Sequence, residues 1–520
     1  MNRNVLLAAG AAAAAGALAL AGCTPGGGGG DAASPTSSAV RVGVDTPQSL
    51  NPQQAFTLPD FMSSRLAFDT LVRKDADGVV PGLAASWEGD ASSLTFTIRA
   101  GATCSDGTEI TPTIVADSLQ SFARNGNPSG VIDAFGGQNP TISADDEAGT
   151  VTITPEAPNN DLLFGMATAS TGIICPAGLA DLETLNSGPV EGAESGPYRL
   201  TTLEPGVRYQ YQLRDDYDAW PEWTSDVAGD VPQEVEYVVV KDASASANQV
   251  LSGELDLARI MPDSRARFEG DDSIELVSNP FGNFYILFNE REGAVFSDRE
   301  KRKAVAQAID REAFDSTTTD GTGELTDTFG SQSTLCATTP PRPTLVEPDP
   351  DAAAQALAGV KIRVLGANVV GANGAGNVYV EEVLRNAGAE VTLENLDIGS
   401  WAGRALGQPE SWDLTVYPDL NFTGTLTQGI GNFIGPDILD GGGNIGGTNA
   451  PEAEALADRV PSATTEEERC ALDAQTVQAL TDDFHTIPLT VESFIYAQRP
   501  GYSVTMLGGS LDDHIFRITD

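Results

Sequence analysis

Basic residues are scarce in this sequence. Its 520 residues include 29 Lys and Arg against 74 Asp and Glu, which gives a formal net charge of −45. A phosphate backbone repels a body of this charge, so nucleic acid is excluded as a partner. Anionic lipid headgroups repel it as well. The acidity fits a protein that stays soluble in a salty exterior, and it leaves open a bias toward cationic or zwitterionic ligands.

Motifs of common catalytic sites are missing. Only His485 and His514 are histidines, and the sequence contains no G-x-S-x-G, H-E-x-x-H or G-x-x-x-x-G-K-[ST] pattern. Residues 441–446 fit G-x-G-x-x-G by letter, but no clear strand precedes them, which favours a loop. We therefore expect no catalytic residue, no metal and no cofactor, and a secreted hydrolase is a minor alternative.

Long apolar runs are confined to the N-terminus. Residues 5–21 contain only Val, Leu, Ala and Gly, and they follow Arg3. The run ends at Leu20-Ala21-Gly22-Cys23, which resembles a bacterial lipobox. This pattern predicts a signal peptide over 1–22, a lipid on Cys23 and a Gly-rich flexible tether over 23–38. The expected location is the outer face of the cell membrane, where the lipid anchors a soluble body.

Cysteines are few, with five in the whole sequence. Apart from Cys23 they are Cys104, Cys175, Cys336 and Cys470, an even number that suggests two disulfides in an exported protein. Three pairings are possible, and the split between the two halves of the chain favours Cys104–Cys175 and Cys336–Cys470. A metal site is disfavoured because no pair has C-x-x-C spacing. Each bridge would stabilise the fold by roughly 4–5 kcal/mol in the loop-entropy model.

Strand and helix patterns alternate along the rest of the chain. Alternating apolar residues predict strands at 39–44, 94–98 and 151–154, and a buried strand at 235–240. Thr111 and Pro112 begin a predicted helix as N-cap and first residue. Ser297 to Glu300 fits a capping box for one helix that continues to about Phe314. This alternation indicates an α/β fold.

Several separated segments resemble one family, the family 5 extracellular solute-binding proteins. Seven of them occur in the family's order, and in this sequence they are 50–52 (LNP), 68–72 (FDTLV), 81–88 (PGLAASWE), 105–108 (SDGT), 195–200 (SGPYRL), 253–256 (GELD) and 302–311 (RKAVAQAIDR). Most are turn formers or core positions by their own chemistry. They indicate a fold and a class of function, and they leave the substrate open.

The resemblance implies a two-lobed periplasmic-binding-protein-like fold with an extra subdomain in the first lobe. Lobe I would cover 39–280 with the subdomain at about 80–190, lobe II would cover 281–490, and 491–520 would return to lobe I. Crossover strands would join the lobes, and the ligand would bind in the cleft between them. The implied function is delivery of a small solute, a peptide above others, to the permease subunits of an ABC importer by a monomeric lipoprotein. A lipoprotein of this fold with an envelope regulatory role and no transport is the alternative.

The resemblance also implies a ligand-binding segment in lobe II. Residues 413–421 are the nearest match to the family's cleft segment W-x-x-D-x-P-D-P, with Tyr417 where an aromatic residue is expected and the second proline missing. Asp419 is expected to meet a ligand ammonium group, with Tyr417 and Phe422 as apolar walls and Asn421 beside them. Trp401 is expected to line the same cleft. A plain surface loop is the alternative. Nickel is disfavoured, because neither histidine lies in an evident cleft segment.

Overall fold

The computed structural model describes residues 38–76, 78–241, 243–268, 270–271, 273–507 and 515–519. The predicted signal peptide, Cys23, all but the last residue of the predicted tether, and His514 lie outside these residues. In the part that is described, no helix has the length and apolarity needed to cross a membrane.

Strands of the described residues are numbered in chain order: β1 Ala39–Val44, β2 Val72–Asp75, β3 Gly78–Pro81, β4 Ala84–Asp90, β5 Ser93–Ile98, β6 Thr141–Asp145, β7 Thr150–Thr154, β8 Tyr198–Glu204, β9 Arg208–Leu213, β10 Glu234–Val239, β11 Leu257–Ile260, β12 Glu275–Phe288, β13 Glu324–Leu325, β14 Lys361–Ala367, β15 Glu390–Leu396, β16 Leu414–Asp419, β17 Thr486–Gln498, β18 Tyr502–Val504 and β19 Phe516–Ile518. The α-helices are α1 Leu58–Ala67, α2 Pro112–Asn125, α3 Pro128–Phe135, α4 Leu162–Gly165, α5 Pro176–Leu179, α6 Leu182–Ser187, α7 Ala243–Ser252, α8 Arg299–Ala308, α9 Arg311–Thr319, α10 Pro350–Leu357, α11 Ala375–Asn386, α12 Ile398–Gly407, α13 Leu426–Gly431, α14 Pro451–Ala457 and α15 Glu466–Asp482.

A mixed sheet runs through both halves of the molecule, in the order β15-β14-β16-β12-β17-β11-β1-β10-β9-β8. β14 pairs in parallel with β15 and β16, and β1 pairs in parallel with β10 and β11, while the central β12, β17 and β11 are antiparallel. Every residue of β17 is buried. Such a strand needs cover on both faces, which the flanking helices and loops provide.

Two long strands connect separate cores. One core, called here the lobe II core, lies within residues 284–489 and includes the C-terminal half of β12 and the start of β17. The lobe I core contains residues of β1, β10 and β11 together with Phe281 of β12 and Phe494 and Tyr496 of β17. β12 and β17 therefore pass from one lobe to the other side by side. The two-lobed α/β fold expected from the sequence is confirmed.

A third core belongs to a smaller antiparallel sheet. β4, β5, β7 and β6 pair in that order, and α2 packs against them with Val115, Leu119 and Phe122 buried. The helix begins as predicted, because Thr111 Oγ1 accepts a hydrogen bond from the Ile114 backbone N–H and Pro112 occupies the first turn. This unit is called the subdomain, with its core formed mainly by residues 71–175.

Each half of the chain contains one disulfide. Cys104 is bonded to Cys175, across 71 residues within the subdomain, and Cys336 is bonded to Cys470, across 134 residues within lobe II. This is the pairing that the distribution of cysteines favours.

One predicted helix is wrong. In place of a single helix from the capping box to about Phe314, α8 ends at Ala308 and α9 begins at Arg311. Asp298 caps α8 by accepting a hydrogen bond from the Glu300 N–H at 3.0 Å, and Asp310 caps α9 in the same way with Ala313 at 3.1 Å. A second good N-cap inside the apolar pattern ends the first helix and starts another.

Candidate functional site

A small cavity lies where lobe I, the subdomain and lobe II meet. It is called the aromatic cavity, has a volume of about 70 Å³, and is lined by Ala55, Phe56, Phe61, Asn127, Ser129, Gly130, Asp133, Thr168, Ala169, Ser170 and Phe422. A volume of this size holds a few water molecules. It is far below the roughly 300–1,000 Å³ that is usual for drug-sized ligands. It is also smaller than the cavity of about 150 Å³ that accommodates benzene, so even a single ring requires the walls to move apart.

Phenyl rings from two lobes form one wall of this cavity. The Phe422 ring lies 4.3 Å from the Phe61 ring of α1 and 5.8 Å from the Phe281 ring of β12, measured between centroids. Phe281 in turn packs against Phe494 of β17. Tilted and edge-on pairs of this kind suit a flat aromatic guest, which can add one more ring to the cluster.

Two carboxylates from different lobes lie close enough for the charge of one to raise the pKa of the other. Asp133 lies on α3 of the subdomain and lines the cavity, while Asp419 ends β16 of lobe II and is almost fully buried. Burial raises the pKa of Asp419 to about 6. Burial, and then the nearby charge of Asp419, raise the pKa of Asp133 to about 7. No hydrogen bond from a described residue offsets this shift at Asp133.

Asp419 is held in place by its own neighbours. Its Oδ2 accepts a hydrogen bond from Tyr285 Oη at 3.2 Å, and its Oδ1 accepts one from the Asn421 N–H at 2.9 Å. The Tyr417 ring stacks on the Tyr285 ring with centroids 5.4 Å apart. The carboxylate is therefore positioned by lobe II alone, before any ligand arrives.

The structure separates the five residues predicted to bind ligand. Phe422 lines the aromatic cavity, and Asp419 and Tyr417 lie close enough to Asp133 for their ionisation to be coupled to its charge. Asn421 is buried, and its amide donates to the Phe329 and Thr425 carbonyls, so it shapes the loop. Trp401 is buried in the lobe II core, donates to Thr415 Oγ1 at 3.1 Å and packs edge-on against Tyr417. It lines none of the cavities found among the described residues.

Polar contacts join the subdomain to lobe II around the cavity. Lys74 Nζ donates to the Thr423 carbonyl, and Thr425 Oγ1 donates to Asp161 Oδ2 at 2.7 Å. Asp161 also forms a buried ion pair with Arg469 of α15. These contacts hold the lobes together across the cleft.

Two larger openings border the aromatic cavity. The outer cleft, about 860 Å³, lies between lobe I residues that include Asp45, Thr46 and Asp60 and the lobe II segments 368–369 and 397–399. The side groove, about 460 Å³, runs between α3 and α12. Within the described residues, no group of three or more His, Cys, Asp or Glu is arranged to hold a metal ion.

Sequence reasoning missed Asp133, Phe56 and Phe61. Asp133 stands on a short helix outside every family-like segment, and nothing local distinguishes it from the other acidic residues. Phe56 and Phe61 closely follow the Leu50-Asn51-Pro52 turn. That turn places them near the end of β1, and this proximity to an identified motif is the signal that could have found them.

The family model of bacterial extracellular solute-binding proteins, family 5, matches residues 78–407, more than half of the chain. The chain belongs to this family. Among curated relatives, protein XP55 of Streptomyces lividans is 28% identical over 316 residues, covering 58% of this chain and 53% of that protein. The periplasmic murein peptide-binding protein MppA of Escherichia coli is 25% identical over 286 residues, covering 51% and 52%. The chain thus spans about half the length of the curated relatives that it matches.

A solved structure matches over nearly the whole chain. A substrate-binding protein from Microbacterium hydrocarbonoxydans, complexed with 4-hydroxybenzoate hydrazide, is 68% identical, with a TM-score of 0.87 and coverage of 93% of this chain and 100% of that one. The structure of the murein tripeptide-binding protein MppA of Escherichia coli is 19% identical, with a TM-score of 0.77 and coverage of 94% of this chain and 99% of that one. At this identity the second match shows a shared fold.

Proposed function

We propose that this protein is a solute-binding protein that captures a small aromatic molecule outside the cytoplasm and delivers it to the permease of an ABC importer. The observation that carries the proposal is the aromatic cavity, closed between two lobes and lined by phenyl rings and a carboxylate. The relative at 68% identity, solved with 4-hydroxybenzoate hydrazide, supports the choice of ligand class. An aromatic acyl hydrazide or amide is therefore the proposed ligand.

The two sides of the cavity suit the two ends of such a molecule. The ring of the ligand would join the Phe61 and Phe422 rings. The –NH–NH₂ end would donate hydrogen bonds to the carboxylates of Asp133 and Asp419, which belong to different lobes. Above about pH 7 both groups are ionised, and a ligand carboxylate would be repelled by them, so the free aromatic acid should bind poorly.

A peptide is the second candidate ligand. Curated relatives include peptide-binding proteins such as MppA, and Asp419 would accept hydrogen bonds from a peptide ammonium group as the sequence predicts. A peptide would need the cavity to open into the outer cleft, because about 70 Å³ is too small for it. The single-ring ligand needs a smaller opening than a peptide does and is therefore placed first.

Calorimetry on the purified protein tests the proposal. We expect 4-hydroxybenzoate hydrazide to bind, and 4-hydroxybenzoate and an unblocked tripeptide to bind at least about 100-fold more weakly, a difference of roughly 2.7 kcal/mol. Mass spectrometry of the recovered hydrazide should find it intact, since a hydrolase would release the acid. Tripeptide binding without hydrazide binding would overturn the aromatic ligand in favour of the peptide.

The anchor and the transport role need tests in cells. With a lipid on Cys23, labelled fatty acid should be incorporated into the wild type and not into Cys23→Ala. Loss of labelled hydrazide uptake on deleting the gene would support import. Unchanged uptake together with an envelope defect would favour the regulatory alternative.

A further inference from the structure

One side chain borders all three openings at the site. Phe56 lines the aromatic cavity, the outer cleft and the side groove. Other residues that line the aromatic cavity, such as Phe61 and Phe422, border neither the cleft nor the groove. The Phe56 ring thus stands between the small cavity and the two larger spaces outside it.

The backbone at Phe56 is fixed by lobe I. The fully buried Asp60 carboxylate accepts hydrogen bonds from the N–H groups of Phe56 at 3.1 Å and Thr57 at 2.9 Å. The same carboxylate accepts hydrogen bonds from Gln48 at 2.6 Å and Ser49 at 3.1 Å. Four charge-assisted hydrogen bonds to one buried group give this loop a defined shape. The backbone of Phe56 is therefore fixed to lobe I.

The ring itself packs on the other lobe. Phe56 is partly buried against the lobe II core, although its neighbours in the chain belong to lobe I. A contact of this kind exists only while the lobes are together. When lobe II moves away, the ring loses its packing surface and the cavity becomes continuous with the outer cleft.

We propose that Phe56 is the gate of the aromatic cavity, which it seals on closure, and that it limits the length of the ligand. This inference rests on the proposed function, since it assumes that the ligand occupies the aromatic cavity. A molecule longer than the cavity must displace the ring from the lobe II core or leave the lobes apart. Removing the ring joins the 70 Å³ cavity to the 860 Å³ cleft, so longer ligands should then be accepted.

Two extended probes test the gate from either end of the ligand. One is 4-butoxybenzoate hydrazide, which is extended at the phenol oxygen, and the other is the N′-hexanoyl derivative of 4-hydroxybenzoate hydrazide. The wild type should bind both at least about 100-fold more weakly than the parent hydrazide, as expected for overpacking a closed site. Phe56→Ala should bring at least one of them to within about tenfold of the parent.

Phe61→Ala is the matched control. It enlarges the aromatic cavity by the same change of side chain, but Phe61 does not border the outer cleft. It should weaken binding of the parent hydrazide, whose ring is proposed to pack on Phe61, and it should not raise the affinity for either long probe above that of the wild type. Phe56→Leu retains an apolar side chain at the interface and should relax the discrimination in part, and thermal melts verify that each variant is folded.

The possible results distinguish a failure of the proposed gate from a failure of the proposed ligand. Failure of the wild type to bind the parent hydrazide contradicts the proposed ligand. If the wild type binds the parent but also binds the long probes equally well, or if both Phe56 variants still reject them, the gate is overturned. If Phe56→Ala does not fold, Phe56→Leu decides between these results.

Discussion

Asp133 and Asp419 form an unusual pair for a binding site, because each would destabilise the other when both are ionised. They come from different lobes, only Asp133 lines the aromatic cavity, and their pKa values are about 7 for Asp133 and about 6 for Asp419. Two carboxylates that repel each other favour protonation of one of them, or a guest that donates hydrogen bonds to both. The free energy of closing the empty cavity is therefore less favourable than that of closing it on a ligand with N–H groups.

This pair leads to a prediction about selectivity. At about pH 8, where Asp133 is ionised, Asp133→Asn removes one negative charge while keeping the shape, so it should improve binding of the 4-hydroxybenzoate anion by about 10- to 100-fold. Binding of the hydrazide should change less, because the amide that replaces the carboxylate still offers an oxygen acceptor. Calorimetry with both ligands gives the ratio.

Asp117→Asn is the control for this change. Asp117 lies on α2 of the same subdomain, is exposed and lines none of the described cavities. The substitution alters the net charge by the same amount and should leave the ratio as in the wild type. An equal change in both variants would show that net charge, and not the cavity, selects the ligand.

A second prediction concerns pH. The pKa of Asp133 is raised in the folded protein from 3.8 to about 7, so the folded state holds this proton over a range in which the unfolded chain has lost it. The contribution to stability is full below about pH 4 and is lost as the pH rises through about 7. The Tm of ligand-free wild type should therefore fall, relative to that of Asp133→Asn, between about pH 4 and 7. Parallel curves would show that Asp133 is ionised and solvated in the free protein.

The sequence predicts only the part of the site that lies in a recognisable segment. Asp419 and Tyr417 lie in the segment 413–421 that resembles the family's cleft segment, and Phe422, which follows it directly, lines the aromatic cavity. Asp133 approaches them through tertiary packing of α3, which no local pattern encodes. Whether any of these residues contacts the ligand stays a prediction.

At the scale of elements, the strands are the most predictable features. Of the two helix starts singled out, Thr111 is the N-cap as predicted, but Ser297 is not, because Asp298 caps α8. Alternation of Val40, Val42 and Val44 predicts β1 within its observed bounds, because one face of that strand must be buried. Loops offer less information. The weak pattern at 316–350 contains the end of α9, the short β13 and a long irregular segment, and part of it is held by contacts with distant residues such as Thr490 of β17.

The contact between α15 and the start of α4 carries the third prediction. Arg469 is buried between Asp161 of the subdomain and Asp473 of its own helix. Burial raises the pKa of Asp473 to about 7 even with Arg469 beside it. Arg469→Met would leave two buried carboxylates without this counter-charge, a change that costs about 3–5 kcal/mol in comparable cases. We expect weaker binding of all ligands by a similar factor, together with a lower Tm.

Two further variants serve as controls for the Arg469→Met prediction. Arg404→Met breaks an exposed pair with Glu394, whose atoms are 3.0 Å apart, and should change stability by less than about 1 kcal/mol. Adding Asp161→Asn to Arg469→Met should cost less than the sum of the two single changes, because the pair is coupled. A lower Tm with unchanged ligand affinity would assign the pair to folding and not to closure.

At the scale of the whole molecule, the parallel course of β12 and β17 makes relative motion of the lobes simple. Both strands contribute to the lobe I and lobe II cores, and their register shifts between Pro280 and Gly282. We expect the two strands to bend near this irregularity when the lobes separate. The lobe boundaries at 280 and 490 stay a prediction, since strand residues on both sides of them belong to one continuous sheet.

Small-angle scattering tests this motion and links it to the carboxylate pair. A ligand shifts the population toward the closed form only through its differential affinity for that form. The radius of gyration should therefore fall when 4-hydroxybenzoate hydrazide is added to the wild type.

Without ligand, Asp133→Asn should already be more compact than the wild type at about pH 8, above the raised pKa of Asp133, because its cavity closes on one carboxylate in place of two. Arg469→Met should be more expanded for the opposite reason. Two results together would contradict this motion: tight hydrazide binding without a fall in the radius of gyration, and the same radius for all ligand-free variants. The lobes would then not move, and the ligand would enter a cavity that is already closed.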